Sequence, residues 1–533
     1  MKANYDISRA ALAAIFSLTL LVGCGDPGAP ADADSDDVVE AGGLLQALDL
    51  MQGGVDLVEL DPEVDRYVVD VSVLVTAVTL RAVAADAGTA IRASVDGQPL
   101  PLFDDEGSVR LTGSPTTVEV AAVSGERIER YAIEISRGEQ PLTETYVKAP
   151  RPEADARFGQ AVAVDGDTLV VGAFDGTAVF VYTEDRGEWR SSAKLRGDNT
   201  QADESFGASV AIDGDTVVIG APGDSSGVPV SGAVHVFVRT GSAWVQQATI
   251  KSVAPEIRAQ FGASVDISGN TIVVGAPGEA GVAGGAYTFS RVGSEWLFQG
   301  ALASELDLRA GDAFGHAVAI ENDVAVVTAP GNSFMDRDGN KFPDSGAAYV
   351  FMRVGQVWSY AEALKGYYDG LFERSPRANG AFGTSVDILE DAVVVGASGE
   401  GRVYIIELGE GSLVSRTESM SSPGSDDEDG FGASVSADGD FLVVGASGDD
   451  RGDPGLYGND AVDSGAVFLY SRVSGAWAIE GYLKASNQDA SDRFFGAAVD
   501  GGTLAVGATG EDGDGADLND DSVVDSGAVY VFR

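Results

Sequence analysis

Oxygen-bearing side chains recur at alternate positions in two acidic segments of this 533-residue chain. The first segment presents Asp336, Asp338, Asn340, Phe342 and Asp344. The second segment presents Asp517, Asn519, Asp521, Val523 and Asp525. Side-chain oxygens at the first, third, fifth and ninth positions, with a backbone carbonyl at the seventh, can surround one hard cation such as calcium. The spacing therefore predicts two calcium sites, with calcium as the cofactor.

Both segments run into Ser-Gly, so they hold the same position relative to an Asp-Ser-Gly turn. Alanine stands where an EF-hand-like loop has its bidentate glutamate, which predicts a modest affinity. A related segment has Asn459 and Asp463 at the corresponding positions relative to Asp-Ser-Gly. It has Gly455 and Tyr457 in place of the first two ligands, so we interpret it as a degenerate site. The alternative is that all these loops are solvated acidic turns, which are common in a chain this acidic.

Another candidate binding feature is the segment from 365 to 380, which is rich in aromatic and arginine residues. It contains Tyr367, Tyr368, Phe372, Arg374 and Arg377. Exposed aromatic and arginine side chains are typical binding hot spots, so we predict that these residues contact a ligand. Local packing that anchors a long loop explains them equally well. With two histidines and no Ser-His-Asp set, P-loop or dinucleotide fingerprint, the chain is predicted not to be an enzyme.

Composition narrows the class of protein. The formal net charge is −49, so the surface repels nucleic acid and anionic membranes. One cysteine excludes an internal disulfide. A hydrophobic content of 44% is enough to build a core, and 70 glycines alongside many valines predict short strands joined by tight turns.

The N-terminus has the pattern of a bacterial lipoprotein leader. Residues 1–23 contain basic residues and then an apolar run, which predicts a signal peptide. Leu21-Val22-Gly23-Cys24 resembles a lipobox, so Cys24 is predicted to carry the lipid that anchors the protein at the bacterial outer membrane or cell surface. Residues 24–43 are rich in Asp, Ala, Gly and Pro, which predicts an acidic flexible tether.

Residues 44–138 alternate apolar and polar positions in short runs separated by turn residues, which predicts a small β-sandwich. Tyr67-x-Val69-x-Val71, Val95-Asp96-Gly97 and the run 130–135 resemble the cadherin-like β-sandwich domain of bacterial surface proteins. No site chemistry is visible in this segment, which favours a spacer or docking role.

Seven repeats fill the remaining sequence, each with a Phe-Gly pair. The pairs begin at Phe158, Phe206, Phe261, Phe314, Phe382, Phe431 and Phe495. Each repeat reads as four short strands in roughly 50 residues, which is typical of a propeller blade. The sequence therefore predicts an all-β fold in which a seven-bladed β-propeller, residues 143–533, follows the small sandwich. Because the chain ends on a third strand, residues 143–149 are predicted to complete the last blade.

The pairs Phe206-Gly207 with Gly220-Ala221-Pro222, and Phe261-Gly262 with Gly275-Ala276-Pro277, resemble the FG-GAP repeat of the integrin alpha-chain propeller. The resemblance implies an extracellular binding propeller. The acidic segments depart from it, because they follow Gly-Ala-Pro, whereas integrins place their calcium loops between the two motifs. No integrin ligand residue therefore maps onto this sequence.

Together these features predict a lipid-anchored surface protein that binds an unknown extracellular protein or glycan through the long loops of its propeller, and that contacts the membrane only through Cys24. An extracellular hydrolase or lyase acting on polysaccharide is a second hypothesis, since loop carboxylates can converge in three dimensions. A structural spacer in the envelope is a third.

Overall fold

The structure is a computed structural model. It describes residues 44–52, 55–60, 64, 66–72, 77–102, 106–111, 115–125, 127–140, 142–173, 178–198, 204–279, 283–302, 308–335, 340–366, 377–389, 392–409, 414–422, 429–450, 462–473, 475–487, 489, 491–513 and 522–533. The predicted signal peptide, Cys24 and the tether 24–43 lie outside these residues. No helix within the described ranges is long and apolar enough to cross a bilayer. Contacts divide the chain into two compact units, the second of which contains Gly138–Arg533.

The described residues of the first unit form nine strands in two sheets. The strands are β1 (Leu45–Gln52), β2 (Val55–Leu60), β3 (Arg66–Ser72), β4 (Ala77–Ala84), β5 (Ala90–Val95), β6 (Gln98–Leu100), β7 (Glu106–Arg110), β8 (Thr116–Ser124) and β9 (Arg127–Gln140). One sheet has the order β2-β1-β4-β7 and the other β3-β9-β8-β5-β6. Along β8, Val118 and Val120 are buried while Glu119 between them is exposed. This alternation is what the sequence predicts for strands that cover a core on one side.

The second unit contains the repeats, which we number 1 to 7 in chain order. Repeats 1 to 3 comprise β11 (Ala161–Asp165), β12 (Thr168–Gly172), β13 (Val179–Asp185), β14 (Glu188–Leu195), β15 (Ser209–Asp213), β16 (Thr216–Ala221), β17 (Ala233–Thr240), β18 (Ala243–Ile250), β19 (Ser264–Ser268), β20 (Thr271–Ala276), β21 (Gly285–Val292) and β22 (Glu295–Ala301). Repeat 4 comprises β23 (Val318–Glu321), β24 (Val324–Ala329), β25 (Phe334–Met335), β26 (Lys341–Phe342), β27 (Ala347–Val354) and β28 (Val357–Leu364).

Repeats 5 to 7 comprise β29 (Phe382–Leu389), β30 (Ala392–Ala397), a 3₁₀ turn at Ser398–Glu400, β31 (Arg402–Leu408), β32 (Val414–Met420), β33 (Phe431–Asp438), β34 (Phe441–Ala446), β35 (Ala466–Val473), β36 (Ala476–Leu483), β37 (Phe494–Asp500), β38 (Thr503–Ala508) and β39 (Ala528–Phe532). In the described part of the chain each repeat forms one four-stranded antiparallel sheet. The sheet of repeat 7 has the order β10-β39-β38-β37, where β10 is Glu144–Val147. The all-β prediction is confirmed, and the sheets are propeller-like blades.

The two glycine motifs meet where consecutive repeats touch. A Cβ added to Gly220 would lie 2.0 Å from the carbonyl oxygen of Gly262, and one added to Gly275 would lie 2.1 Å from that of Gly315. No side chain fits at such distances. The Gly of Gly-Ala-Pro in one repeat and the Gly of Phe-Gly in the next are therefore two halves of one contact.

A serine on the first strand reinforces this contact. The Ser264 hydroxyl donates to the Gly315 carbonyl across 3.0 Å. Repeat 4 differs, because Thr328 replaces the glycine and Ala317 replaces the serine. The Thr328 hydroxyl instead bonds the Ala317 backbone, accepting from its N–H at 3.0 Å and donating to its carbonyl at 3.2 Å.

The phenylalanine of each pair fills the space between sheets. Six are fully buried, namely Phe158, Phe206, Phe261, Phe314, Phe382 and Phe431. Each packs edge-on or tilted against an aromatic ring of the third strand in its own repeat, as Phe261 does with Tyr287 at 5.7 Å between ring centroids.

In repeat 7 the phenylalanine of the Phe-Gly pair, Phe495, does not fill this role. Phe494 is the fully buried ring, and Phe495 takes the place of the glycine, with its carbonyl oxygen 2.1 Å from a Cβ added to Gly445. The bulge that follows the buried phenylalanine is one residue shorter here, since Gly496 already pairs with Gly507. The sequence pair Phe-Gly is therefore shifted by one residue relative to the fold.

The second unit closes on itself between repeats 7 and 1. The first strands contact one another in the order β11, β15, β19, β23, β29, β33, β37 and again β11. At the closing contact a Cβ on Gly507 would lie 2.0 Å from the Gly159 carbonyl oxygen, so the glycine contact is the same as between other repeats. β10 pairs with β39 from Glu144 opposite Phe532 to Val147 opposite Val529. The outer strand of repeat 7 thus comes from the N-terminal side of repeat 1.

Candidate functional site

Short, tied turns form one face of the second unit, which we call the turn face. It carries the turns between first and second strands and between third and fourth strands. Here a carboxylate from one repeat accepts a backbone N–H from the next, as Asp438 does from Gly501 at 3.0 Å and Asp500 from Gly166 at 2.7 Å. The turn face therefore offers little freedom for binding.

All five tryptophans lie at the turn-face end of the fourth strands, each beneath a guanidinium. The pairs are Arg533–Trp189, Arg239–Trp244, Arg291–Trp296, Arg353–Trp358 and Arg472–Trp477, at 5.0 to 5.7 Å from the guanidinium carbon to the ring centroid. Several of these arginines also reach a threonine of the preceding repeat, as Arg353 does to Thr271 Oγ1 at 2.6 Å. The tryptophans thus pack against arginines, several of which tie one repeat to the repeat before it.

The opposite face, which we call the loop face, carries the loops between second and third strands and between repeats. In repeats 2 to 7 a buried polar residue lies three positions after the alanine of the Gly-Ala motif, which is Thr-Ala in repeat 4. These residues are Asp224, Glu279, Asn332, Glu400, Asp449 and Glu511. Sequence reasoning missed them, although their constant distance from the Gly-Ala motif was a usable signal.

We call the position of these six residues the loop root. The length of the side chain at the loop root decides which partner it bonds. The shorter residues bond a lysine that follows the fourth strand, in the pairs Asp224–Lys251 at 2.6 Å, Asn332–Lys365 at 3.1 Å and Asp449–Lys484 at 2.8 Å. The longer residues bond a third-strand tyrosine, in the pairs Glu279–Tyr287, Glu400–Tyr404 and Glu511–Tyr530. Burial raises the pKa of Glu279, Glu400 and Glu511, and the tyrosine hydroxyls partly oppose this by stabilising the carboxylates.

The predicted calcium loop of repeat 4 emerges from a small hairpin, in which Phe334 pairs with Phe342 and Met335 with Lys341. Asn340 and Asp344 are exposed on its returning arm. Asp336 and Asp338 lie outside the described residues. The structure therefore shows the base of this loop and not its tip.

In repeat 7 the described part of the loop again covers the returning arm. The Val523 carbonyl, predicted to face calcium, accepts the Gly513 N–H at 3.0 Å. Asp517, Asn519 and Asp521 lie outside the described residues. Among the residues that are described, no group of three or more His, Cys, Asp or Glu is placed to hold a metal ion.

The shared Asp-Ser-Gly turn has a structural cause of its own. Asp344, Asp463 and Asp525 all adopt a left-handed backbone, with φ of 50°, 54° and 49°. The N–H groups of Asp463 and Asp525 donate to Asp450 and Asp512 at 2.7 and 2.6 Å, which closes each loop. The repeat 6 loop closes in this way although it lacks the first ligands. The turn thus explains, without a metal, why the acidic segments hold the same position relative to Asp-Ser-Gly. The calcium prediction therefore rests on the oxygens of the residues that precede the turn in each loop.

Of the five residues predicted to contact a ligand, the structure describes only Arg377. Its side chain is exposed, and both its charge and its backbone N–H act on the buried Glu400. Tyr367, Tyr368, Phe372 and Arg374 lie outside the described residues. Arg377 therefore anchors the end of this loop beside the root of repeat 5.

Five segments of the chain match the family model described as FG-GAP repeat. They are residues 147–182, 189–237, 244–289, 296–351 and 417–470. Each FG-GAP match begins on a fourth strand and ends on the third strand of the next sheet. The first match also begins on an outer strand, because residue 147 lies in β10, the outer strand of the repeat 7 sheet. Repeats 5 and 7 fall largely outside the matches, yet they form the same four-stranded sheet.

Among solved structures, the β-propeller domain of Cps50 (Swd1) from Myceliophteria thermophila is similar, with 10% sequence identity and a TM-score of 0.43, over 74% of this chain and 99% of that chain. No curated protein sequence matches the chain.

One of the two histidines, His235, occupies a scaffold position within the FG-GAP repeats. His235 is buried against Phe206, with 5.2 Å between ring centroids, and its Nδ1 lies 3.2 Å from Gln246 Nε2. Burial lowers the pKa of His235 to about 4. A ring that stays neutral at physiological pH and replaces a third-strand tyrosine is a packing residue.

Two carboxylates on first strands of the second unit bridge to the next repeat. Asp266 accepts N–H groups from Ile267 and, in repeat 4, from Ile320 at 2.7 Å. Asp387 in repeat 5 does the same, and reaches Ala437 at 2.8 Å. Burial raises the pKa of both to about 7, and neighbouring carboxylates add to the effect.

These shifts predict a pH dependence of stability. Because the folded state raises the pKa of Asp266 and Asp387, it binds their protons more tightly than the unfolded chain does. Their contribution is fully present below the unfolded pKa of about 4 and is lost as pH rises through about 7. The melting temperature should therefore fall between pH 5 and pH 8. In the double variant Asp266→Asn with Asp387→Asn, this fall should be smaller.

The control is the charge-matched double variant Glu153→Gln with Glu295→Gln, whose carboxylates are exposed. It separates the two bridging groups from the general relief of repulsion in an acidic protein. Equal pH slopes for the two double variants would show that Asp266 and Asp387 do not control this dependence.

Proposed function

We propose that this protein is a non-catalytic binding protein of the bacterial cell surface, which presents the loop face of a seven-bladed propeller to a protein or glycan. FG-GAP repeats of this kind indicate a protein-binding or structural role. The observation that supports a ligand on the loop face is the contrast between faces. The turns of the turn face are short and bonded to one another, whereas variation in length is concentrated in the loops opposite.

A screen of glycans and extracellular proteins against the full chain tests this proposal. Alanine at Tyr367, Tyr368 and Phe372 should reduce binding of any hit at least tenfold, as expected for aromatic hot spots. The control variant Ser242→Ala with Ser294→Ala changes exposed residues of the turn face and should bind normally. Binding that is lost only in the turn-face variant would place the site on the turn face and contradict the proposal. If the screen finds no ligand, the structural spacer is favoured.

We propose further that calcium orders the long loops of repeats 4 and 7. Asp336, Asp338, Asn340 and Asp344 would hold one ion together with the Phe342 carbonyl. Asp517, Asn519, Asp521 and Asp525 would hold the other with the Val523 carbonyl. Carboxylate, amide and carbonyl oxygens are the ligands that calcium prefers, and a carbonyl that accepts one hydrogen bond keeps a second lone pair.

Isothermal titration should find about two calcium ions per chain at modest affinity. The melting temperature should rise with calcium, because an ion that binds only the folded state stabilises it by mass action. The double variant Asp338→Ala with Asp521→Ala should lose most of the heat. Asp463→Ala, in the degenerate loop of repeat 6, should keep it. A double variant that binds like the wild type would exclude these two sites.

The anchor we propose is a lipid on Cys24, followed by the tether 24–43 and a cadherin-like sandwich of residues 44–138, which together hold the propeller away from the membrane. Metabolic labelling with a fatty-acid analogue should mark the wild type and leave Cys24→Ser unmarked. Because two or more acyl chains give stable attachment, the variant should also be released from membranes. Equal labelling of both proteins would mean that the lipid is elsewhere.

A further inference from the structure

Three positions come together on the loop face at the root of several repeats. They are the residue two before the buried phenylalanine, the loop-root residue, and the lysine after the fourth strand. Repeat 2 has Glu204, Asp224 and Lys251, repeat 4 has Asp312, Asn332 and Lys365, repeat 6 has Asp429, Asp449 and Lys484, and repeat 7 has Asp492, Glu511 and Lys148. The register is the same in each, since a loop glycine donates its N–H to the carbonyl of the first residue, as Gly331 does to Asp312 at 3.2 Å.

Repeat 4 is the exception in chemistry. In repeats 2, 6 and 7 the middle residue is a carboxylate, which forms a salt bridge or hydrogen bonds. In repeat 4 it is Asn332, a carboxamide, whose carbonyl carbon is an electrophile with ammonia as its leaving group. The lysine and the acid on either side are retained.

The geometry in repeat 4 places the amine and the acid in direct contact with that amide. Lys365 Nζ lies 3.1 Å from Asn332 Oδ1, on one side of the amide. On the other side Asn332 Nδ2 donates to Asp312 Oδ2 at 2.9 Å. Asn332 and Asp312 are 8% and 4% exposed, and the Phe334 ring lies 5.5 Å from Nζ. The amide and the acid are thus buried, and the half-buried Lys365 holds its amine against the amide.

We propose that Lys365 and Asn332 form an intramolecular isopeptide bond, with Asp312 as the proton carrier. The Lys365 ammonium first gives a proton to the Asp312 carboxylate by way of water, because the amide lies between the two groups, and this leaves a neutral amine and a neutral acid. The lone pair of Nζ then forms the N–C bond to Cγ of Asn332. A proton passes from Nζ through Asp312 to Nδ2, the C–Nδ2 bond breaks, and ammonia leaves. Atoms and charge balance with no oxidant or cofactor.

The surroundings favour this sequence of steps. Burial lowers the pKa of Lys365, which makes the neutral amine more accessible, although the nearby Asp312 opposes the shift. Holding the amine against the amide replaces a bimolecular encounter by a positioned one, which is a large part of such barriers. The product joins the end of β28 to the loop after β24. It would therefore fix the base of the 333–344 loop covalently.

Peptide mapping of the purified full chain tests the proposal. Trypsin should yield peptide 310–337 linked to peptide 354–374, with no cleavage after residue 365 and a mass one ammonia below the sum of the two. Fragmentation should place the link between Asn332 and Lys365. If wild type gives only the separate peptides with cleavage after Lys365, the proposal is wrong.

Variants distinguish this bond from other chemistry. Asn332→Asp recreates the ion pair of repeat 6, so it should fold and lack the link. Lys365→Arg keeps the positive charge and should also lack it. If the Asn332 peptide of Lys365→Arg is still one ammonia lighter, the product is a succinimide, which overturns the proposal. Lys484→Arg is the matched control and should keep the link.

The role of Asp312 is tested separately. Asp312→Asn should slow formation of the link after refolding by about 100-fold or more, the usual range for loss of a general acid–base group. An unchanged rate would remove Asp312 from the mechanism.

Discussion

Deletion of residues 1–149 should destabilise the second unit far more than deletion of residues 1–139. Only the longer deletion removes β10, the outer strand of the repeat 7 sheet. It takes away the ladder to β39, the buried Val147 and Ala149, and the contacts of Lys148 with the Asp512 carbonyl and Ser526. Losing these should cost about 5 kcal/mol or more of the free energy of unfolding.

Both truncated proteins lack the first unit, so their difference reports residues 140–149 alone. Thermal and denaturant unfolding of each would measure it. A bare β39 edge should also favour association between molecules, visible by light scattering. Similar melting temperatures for the two proteins would mean that β10 does not contribute to the stability of the closed ring.

A single methyl group at a glycine contact should be nearly as damaging. In Gly275→Ala the new Cβ would lie 2.1 Å from the Gly315 carbonyl oxygen and 2.3 Å from Ser264 Oγ. The neighbouring backbone belongs to the next sheet and cannot move without disturbing the Phe314 packing. We expect a loss of about 3 kcal/mol in the free energy of unfolding, at the upper end for overpacking.

The control is Gly300→Ala, also within a strand of repeat 3, where no atom lies within 4 Å of the added Cβ. It should change the free energy of unfolding by less than about 0.5 kcal/mol. Comparable losses for the two variants would indicate that glycine is needed for backbone freedom and not for the contact between repeats.

Much of the repeat architecture could be predicted because its causes are local. Glycine and phenylalanine recur in the sequence where sheets touch, and alternating or continuous apolar runs mark the strands. Repeat 7 shows the limit, because the buried ring there is Phe494 and not the phenylalanine of the Phe-Gly pair. The pair Phe495-Gly496 fits the pattern, but the bulge is one residue shorter, and bulge length depends on the partner strand rather than on the pair itself.

The loop roots were harder to predict because their partners are distant in sequence. Asn332 lies beside Lys365 and Asp312 only once the second and fourth strands and the next connection are in place. Conversely, the Asp-Ser-Gly turn looked like part of a metal site, whereas Asp463 shows that the turn closes a loop even where ligands are missing. Sequence spacing alone does not separate a turn that binds an ion from one that binds its own backbone.

The pairing of β10 with β39 has a consequence for biosynthesis. The two strands lie at opposite ends of the second unit, so β10 leaves the ribosome long before its partner is made. At about 5–20 residues per second this interval is roughly 20–80 s. During that time six complete sheets can form in order, each against its predecessor. Tyr146 and Val147 remain without their β39 partner until β39 is translated. β39 is the last strand of the second unit in chain order and it completes the ring, so a chain whose synthesis stops before β39 would remain open at this position.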